Sequence, residues 1–340
     1  MKSGDAYMMS AQSNSDMHSA INRVLAAASD LYPDRARVAS DSLHQILRGI
    51  RESEMGEAAW HSSALARTGF PLEFAFSSGD DSLRYTAEVT EPEIHPRQRL
   101  ARAVALYKRL AKEQFPEDLS AFVQSVQSKG TLKYGAWISG RHGLANNSYK
   151  LYVEIPPESR EEATAWTDSR LGREWSPLSN RRIRLCMLGH HGATGRTELY
   201  YDASYLRPGE IANLLDRAGL KTRANDVLQI LQRAYDRPIG HRLPGNDFGF
   251  SYSLPAQGGP VAFSLYTFAI SVFGGDAKIR TGLLRLASAQ GWDFSLYEKM
   301  SEPLVYRRGF ITCHTVFGVV VSELEPAAVV FGLTPPEVTA

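Results

Sequence analysis

The sequence predicts an α+β fold in which ten antiparallel strands, arranged as five hairpins, surround a central lumen inside an outer ring of helices. Three observations predict it. Paired runs of alternating polar and apolar residues return five times, each pair is joined by a connector, and stretches with helical spacing separate the pairs. The repeat is about sixty residues long, too long for a solenoid unit and regular enough for radial symmetry.

In chain order the predicted strand pairs are residues 70–76 with 83–89, 134–139 with 149–155, 182–188 with 196–201, 248–254 with 261–268, and 310–321 with 328–333. Connectors of the first four carry Ser-Gly-Asp-Asp, Gly-Leu-Ala-Asn-Asn, Gly-Ala-Thr-Gly and Gln-Gly-Gly-Pro, which are hairpin-turn compositions. Helical spacing marks 21–31, 38–51, 97–112, 119–127, 161–168, 208–218, 225–235, 277–289 and 293–300. In the third of these, Leu100, Ala103, Val104, Tyr107, Leu110 and Ala111 recur on one face, which predicts a buried stripe.

A chain of 340 residues with 43% hydrophobic content is long enough for one closed barrel with an outer shell. Residues 17–340 therefore read as one domain, and 1–16 as a disordered N-terminus without the apolar stretch of a signal peptide. No run of about eighteen apolar residues exists, so no membrane span is expected. Cys186 and Cys313 sit within apolar strand runs and read as free thiols in a reducing cytoplasm. A net charge of +1 gives no electrostatic case for nucleic acid.

The second strand of each pair carries the functional signal. Lys150, Tyr152 and Glu154 share one face while Leu151, Val153 and Ile155 share the other; Arg196, Glu198 and Tyr200 share a face, as do Ser264, Tyr266 and Phe268. Two arrangements satisfy this pattern, an open sheet with a solvated polar face and a closed barrel with a polar lumen. A cation followed on the same face by a tyrosine, twice, favours the barrel.

The segment Phe70-Pro71-Leu72-Glu73-Phe74-Ala75-Phe76, with Arg84 eleven residues after Glu73, resembles the Pro-x-Glu-Phe-Ser strand and following Arg of aromatic prenyltransferases of the dimethylallyltryptophan synthase type. Lys150-Leu151-Tyr152 is similar to their Lys-x-Tyr strand, and Arg196-Thr197-Glu198-Leu199-Tyr200 to their Arg-x-Lys-x-Tyr strand. The resemblance runs from about residue 60 to Pro336 and keeps the order of all five hairpins, with a Pro-Pro ending like that of bacterial members. It implies the ABBA prenyltransferase barrel. It also implies transfer of a dimethylallyl or longer prenyl group from its diphosphate to an electron-rich ring, above all the indole of tryptophan or a tryptophan-derived metabolite.

Within that resemblance Glu73 is the catalytic residue, accepting the indole N–H and raising the ring's nucleophilicity. Arg84, Lys150 and Arg196 bind the diphosphate, and Tyr152, Tyr200 and Tyr266 shield the allyl cation. Glu198 and Ser264 border the donor site. No cofactor is required, and magnesium is optional. The expected partners are a prenyl diphosphate and an aromatic small molecule, with no nucleic acid and no membrane.

Four positions depart from the family pattern. Glu198 stands where many members have Lys, leaving it to pair with Arg196 or Arg184, bind magnesium or alter the donor site. Val316 and Val320 stand where tyrosines would extend the shield, which leaves room for a longer donor, and Ser264 replaces a longer amide of some fungal members. The loop-like run from Gly189 to Gly195 lacks the Lys-Ser/Thr of a phosphate loop and reads as a hairpin turn; His190 and His191 lack the partners of a zinc site. Asp80-Asp81 is a hairpin tip rather than an aspartate-rich motif. The run Arg181-Arg182-Ile183-Arg184 reads equally as a steering patch or a solvated strand entrance. The rival acceptor is a phenol or another heterocycle, and the rival function is a noncatalytic barrel that binds a hydrophobic small molecule.

Overall fold

In the computed structural model, which describes residues 18–171, 178, 183–256 and 259–337, ten strands close into a barrel. They are β1 (Leu72–Ser77), β2 (Leu83–Glu88), β3 (Ala136–His142), β4 (Asn147–Glu154), β5 (Arg184–His191), β6 (Arg196–Asp202), β7 (Phe248–Leu254), β8 (Ala262–Phe268), β9 (His314–Ser322) and β10 (Ala328–Leu333). Each pairs antiparallel with its chain neighbours, and β1 pairs with β10 to complete the circle. Closure removes the unpaired edges that make open sheets prone to association. The expected disordered segment 1–16 and the Arg181-Arg182 half of the basic run lie outside the described residues.

Strand alternation sorts the side chains. Along β1, Leu72, Phe74 and Phe76 are buried on the outer face while Glu73, Ala75 and Ser77 face the lumen. Helices cover the outer face. They are α1 (Ser19–Leu31), α2 (Pro33–Ile46), α3 (Arg48–Arg51), α4 (Pro96–Ala111), α5 (Glu117–Lys129), α6 (Arg160–Leu171), α7 (Pro208–Asp216), α8 (Ala224–Tyr235), α9 (Ala269–Phe273), α10 (Asp276–Gln290) and α11 (Ser295–Met300). α2 packs on β2 and β3, α4 on β3 and β4, α6 on β5, α8 on β9, and α9 on β8 and β9. Tyr252 of β7 donates to the Leu214 carbonyl of α7 at 2.7 Å, and Tyr297 of α11 packs edge-on against Phe76 and Phe331 of β1 and β10. A single hydrophobic core thus runs from Ala20 to Leu333 between ring and barrel.

Helix starts follow local chemistry. α2, α4 and α7 each open on a proline, where the missing N–H leaves no helical bond unmade, so α2 begins at Pro33 rather than at residue 38. α9 is a single short helix that the periodicity does not reveal; Gly274, with φ of 97°, ends it. The strand expected from residue 310 begins only at His314. Asp276, at the start of α10, accepts the backbone N–H groups of Cys313 and His314 at 3.0 and 3.1 Å and so takes the chain out of ladder pairing there. Residues 189–191 belong to β5, and the turn expected over 189–195 is confined to Gly192–Gly195.

Candidate active site in the barrel lumen

Register decides which lumen residues meet. One row of cross-strand partners runs from Glu73 through Thr86, Ser139, Lys150 and His191 to Arg196, spanning β1 to β6. The adjacent row holds Trp137, Tyr152, Gly189, Glu198 and Ser253, and the one beyond it Met187, Tyr200, Ser251, Ser264 and Val320. Tyr266 lies opposite Gly249 and Gly318 one row further, and Arg84 lies opposite Ala75 and Arg141 on the other side of Glu73's row. All the site residues expected from the sequence therefore share the lumen.

Glu73 has no ion-pair partner among the described residues. Burial pushes its carboxyl up to about 7, and the neighbouring Thr315 hydroxyl opposes that rise. Room for the carboxyl comes from Gly332, where a Cβ would lie 2.4 Å from Glu73 Oε1 and 2.2 Å from Thr315 Oγ1. Thr315 stands at a bulge, where the β9–β10 register shifts between Phe331 and Leu333. Glu154 makes the contrast plain: it is on the lumen parity of β4, yet its carboxylate accepts the backbone N–H groups of Lys133, Tyr134 and Gly135.

Each expected cation already has protein partners. Arg84 is ion-paired with Asp80 and donates from Nε to Ser82 at 2.9 Å, while Arg141 reaches the same Asp80 at 3.0 Å. Burial raises the Asp80 carboxyl, but Arg84, Ser82 and Arg141 outweigh it and hold it below the ordinary range. Arg196 donates to Ser253 Oγ at 2.9 Å, the Ser253 carbonyl at 2.6 Å and the Pro260 carbonyl at 3.0 Å. Lys150 Nζ donates to Glu198 Oε1 at 2.8 Å, both side chains being 18% exposed. Of the pairings open to Glu198, the structure selects neither Arg196 nor Arg184. Burial pushes the ammonium down and the carboxyl up, but their mutual attraction outweighs both, leaving Lys150 raised and Glu198 lowered.

The tyrosines form a continuous aromatic wall. Ring centroids of Tyr152 and Tyr200 are 5.8 Å apart and those of Tyr200 and Tyr266 6.2 Å, and Lys150 Nζ lies 5.3 Å from the Tyr152 ring centre. Tyr200 also donates to Glu198. Gly189 lets these side chains converge, since a Cβ there would stand 3.3 Å from both Lys150 and Tyr200. Val316 and Val320 pair with Phe268 and Ser264 across β8, so the wall turns aliphatic at β9.

Sequence reasoning missed Trp137, Tyr134, Arg141 and His191. Trp137 and Arg141 alternate with Ser139 on β3, a signal available in the sequence. Tyr134 precedes that strand and stacks on Trp137 with centroids 3.6 Å apart, a placement fixed by Glu154 holding its backbone. His191, the last residue of β5 rather than part of the turn, sits between Lys150 and Arg196; burial and the charge of Lys150 lower it to about 4, so its ring is neutral. Among the described residues no group of three or more His, Cys, Asp or Glu side chains is placed to hold a metal ion.

The fold is a ten-stranded antiparallel barrel with an outer helical ring, the architecture of the ABBA prenyltransferases. Solved structures similar to this chain are particular members of that class. 5-Dimethylallyltryptophan synthase from Streptomyces coelicolor matches with a TM-score of 0.74 at 15% identity, covering 94% of this chain and 97% of that one. 6-Dimethylallyltryptophan synthase from Micromonospora olivasterospora, in complex with DMASPP and Trp, matches with 0.72 at 16% identity over 94% and 98%. The apo form of the prenyltransferase PriB matches with 0.73 at 13% identity over 94% and 98%. No protein-family model matches the chain, and no curated protein matches it in sequence. At these identities the likeness establishes the fold.

Proposed function

We propose that the chain is an aromatic prenyltransferase that moves a dimethylallyl or longer prenyl group from its diphosphate to an electron-rich ring, the indole of tryptophan or of a tryptophan-derived metabolite. The observation that carries this is the shared row of Glu73, Lys150 and Arg196 beside a wall of Tyr152, Tyr200 and Tyr266. The similar solved structures that hold DMASPP and Trp support the substrate classes.

In this reading the allylic C–O bond ionises, diphosphate departs with the bonding electrons, and the ring attacks the cation before losing a proton. Arg84, Lys150 and Arg196 meet the charge that develops on the leaving group; removing one such preorganised stabiliser costs roughly 3–4 kcal/mol. The tyrosine faces stabilise the desolvated allyl cation, by about 2 kcal/mol or more. Glu73, once ionised, accepts the indole N–H in a charge-assisted bond of about 1.5–3 kcal/mol. These cations supply the charge that a metal would, so no metal is required and magnesium is optional. Residues 17–340 act as one domain, and the free thiols Cys186 and Cys313 fit a reducing cytoplasm.

The test is mass spectrometry of the purified protein with dimethylallyl diphosphate and a panel of indoles and phenols, with and without EDTA. A product heavier by one prenyl unit, formed despite EDTA, is the expected result. No product from any acceptor, with geranyl diphosphate included as donor, would overturn the proposal.

A further inference from the structure

The pairing of Lys150 with Glu198 poses a problem for any anion that enters the lumen. Glu198 uses Oε1 on Lys150 at 2.8 Å and accepts Tyr200's hydroxyl through Oε2, so both oxygens are engaged. A leaving group that contacts Lys150 stands within a few ångströms of that carboxylate, because the register puts Glu198 one row from Lys150 across Gly189, which has no side chain to screen it. Two anions so close in a buried site disfavour each other's charge, and a proton on one of them relieves the repulsion.

We propose that Glu198 is a positioning residue for the donor: it holds Lys150 in the empty barrel and releases it by taking up one proton when the anionic leaving group arrives. The inference rests on the donor-binding reading above. The proton leaves a hydronium ion or buffer acid in solvent, whose bond to it breaks, and bonds to a carboxyl oxygen of Glu198; the Lys150 hydrogen bond is given up and no other covalent bond changes. A protonated carboxyl is a hydrogen-bond donor, so Glu198 changes from a competitor of the phosphate into a ligand for it. The groups that face Glu198 are Lys150 from β4, His191 from β5, Tyr200 from its own strand, Ser253 from β7 and Tyr266 from β8, with Tyr152 of β4 standing against Tyr200. Burial raises the Tyr200 and Tyr266 hydroxyls well above the ordinary tyrosine value, which leaves His191 as the competing proton acceptor among these groups.

Isothermal titration with inorganic pyrophosphate, in two buffers of different ionisation enthalpy at the same pH, counts the protons. The difference between the unmodified protein and Glu198→Gln cancels the ligand's own titration. Glutamine keeps the shape and can still bond Lys150 and Tyr200, and a thermal melt checks the fold. The expected result is one proton fewer taken up by Glu198→Gln and pyrophosphate affinity raised about tenfold, with uptake intact in His191→Gln. Equal uptake in both proteins, weaker binding by Glu198→Gln, or uptake lost in His191→Gln overturns the inference. If prenyl transfer by the unmodified protein is observed alongside such a result, only this inference falls. If neither protein binds pyrophosphate or dimethylallyl diphosphate, the donor reading falls with it.

Discussion

The lumen wall from β2 to β6 carries Arg84, Lys150, Tyr152, Arg196, Glu198 and Tyr200, whereas the wall from β7 to β10 carries Ser251, Ser253, Ser264, Val316, Gly318 and Val320. Charge is confined to one arc, where Arg84 pairs with Asp80 at the rim and Lys150 with Glu198, while Arg196 reaches across to Ser253 of β7. The other arc is small and uncharged, with Tyr266 lying across Gly249, where a Cβ would be 2.1 Å from its ring. The difference has a physical origin. A buried charge without a partner is costly, so cations and carboxylates cluster where they satisfy one another, and space is made elsewhere. On the proposed function, one arc meets the leaving group and the other leaves room for organic bulk.

Five substitutions and one titration break or sharpen that contrast. The largest effect belongs to the charged arc: Lys150→Met lowers kcat by about 100- to 1,000-fold in the prenyl-transfer assay. A matched change in the uncharged arc, Ser264→Ala, leaves kcat within a few-fold; equal losses from both would erase the distinction between the arcs.

Glu73 stands at the seam between the arcs, and its replacement comes next. Glu73→Gln reduces kcat/KM for the acceptor by roughly 10- to 150-fold, the equivalent of one charge-assisted bond, with the melting temperature not lowered. The pH dependence follows from its raised pKa. With the carboxyl at about 7, roughly a tenth is ionised at pH 6 and nine-tenths at pH 8, so acceptor kcat/KM at saturating donor rises about tenfold across that interval. In Glu73→Gln the rise is absent. The same shift has a stability consequence of opposite sense: the folded state binds this proton more tightly than the unfolded chain, so this contribution favours folding below about 4.5 and is lost as pH climbs through about 7.

Gly332→Ala tests the seam from the side of β10. Its Cβ would overlap the carboxyl of Glu73 and the hydroxyl of Thr315, so the carboxyl must move and acceptor KM rises by about tenfold. An unchanged KM would show that the cradle has slack. The smallest effect is on donor length. Val320→Tyr places a ring opposite Ser264 and narrows the aliphatic arc, so the preference between geranyl and dimethylallyl diphosphate shifts a few-fold toward the shorter donor, read by direct competition.

Much of this was legible in the chain because strand alternation has a period of two. Once Lys150 and Tyr152, or Arg196 and Tyr200, fall on one parity, their shared face follows without any tertiary information. The same parity gives Trp137 within the expected strand 134–139, and Arg141 because β3 runs on to His142. It could not separate Glu73 from Glu154. Both are lumen-parity carboxylates, yet one faces an uncharged cradle and the other is consumed by three backbone donors of the loop before β3.

The sequence by itself determined the five hairpins, the inward and outward faces of their strands and the longer helices that cover them, because turn chemistry and hydrophobic period are local properties of neighbouring residues. Only the tertiary structure decided that Lys150 pairs with Glu198 rather than leaving it to Arg196 or Arg184, that His191 belongs to the wall, and that Gly332 makes room for Glu73. These outcomes depend on register between strands that are far apart in sequence. A slip of one residue would turn every lumen side chain outward, and nothing within a single strand specifies which residue of the next will lie opposite.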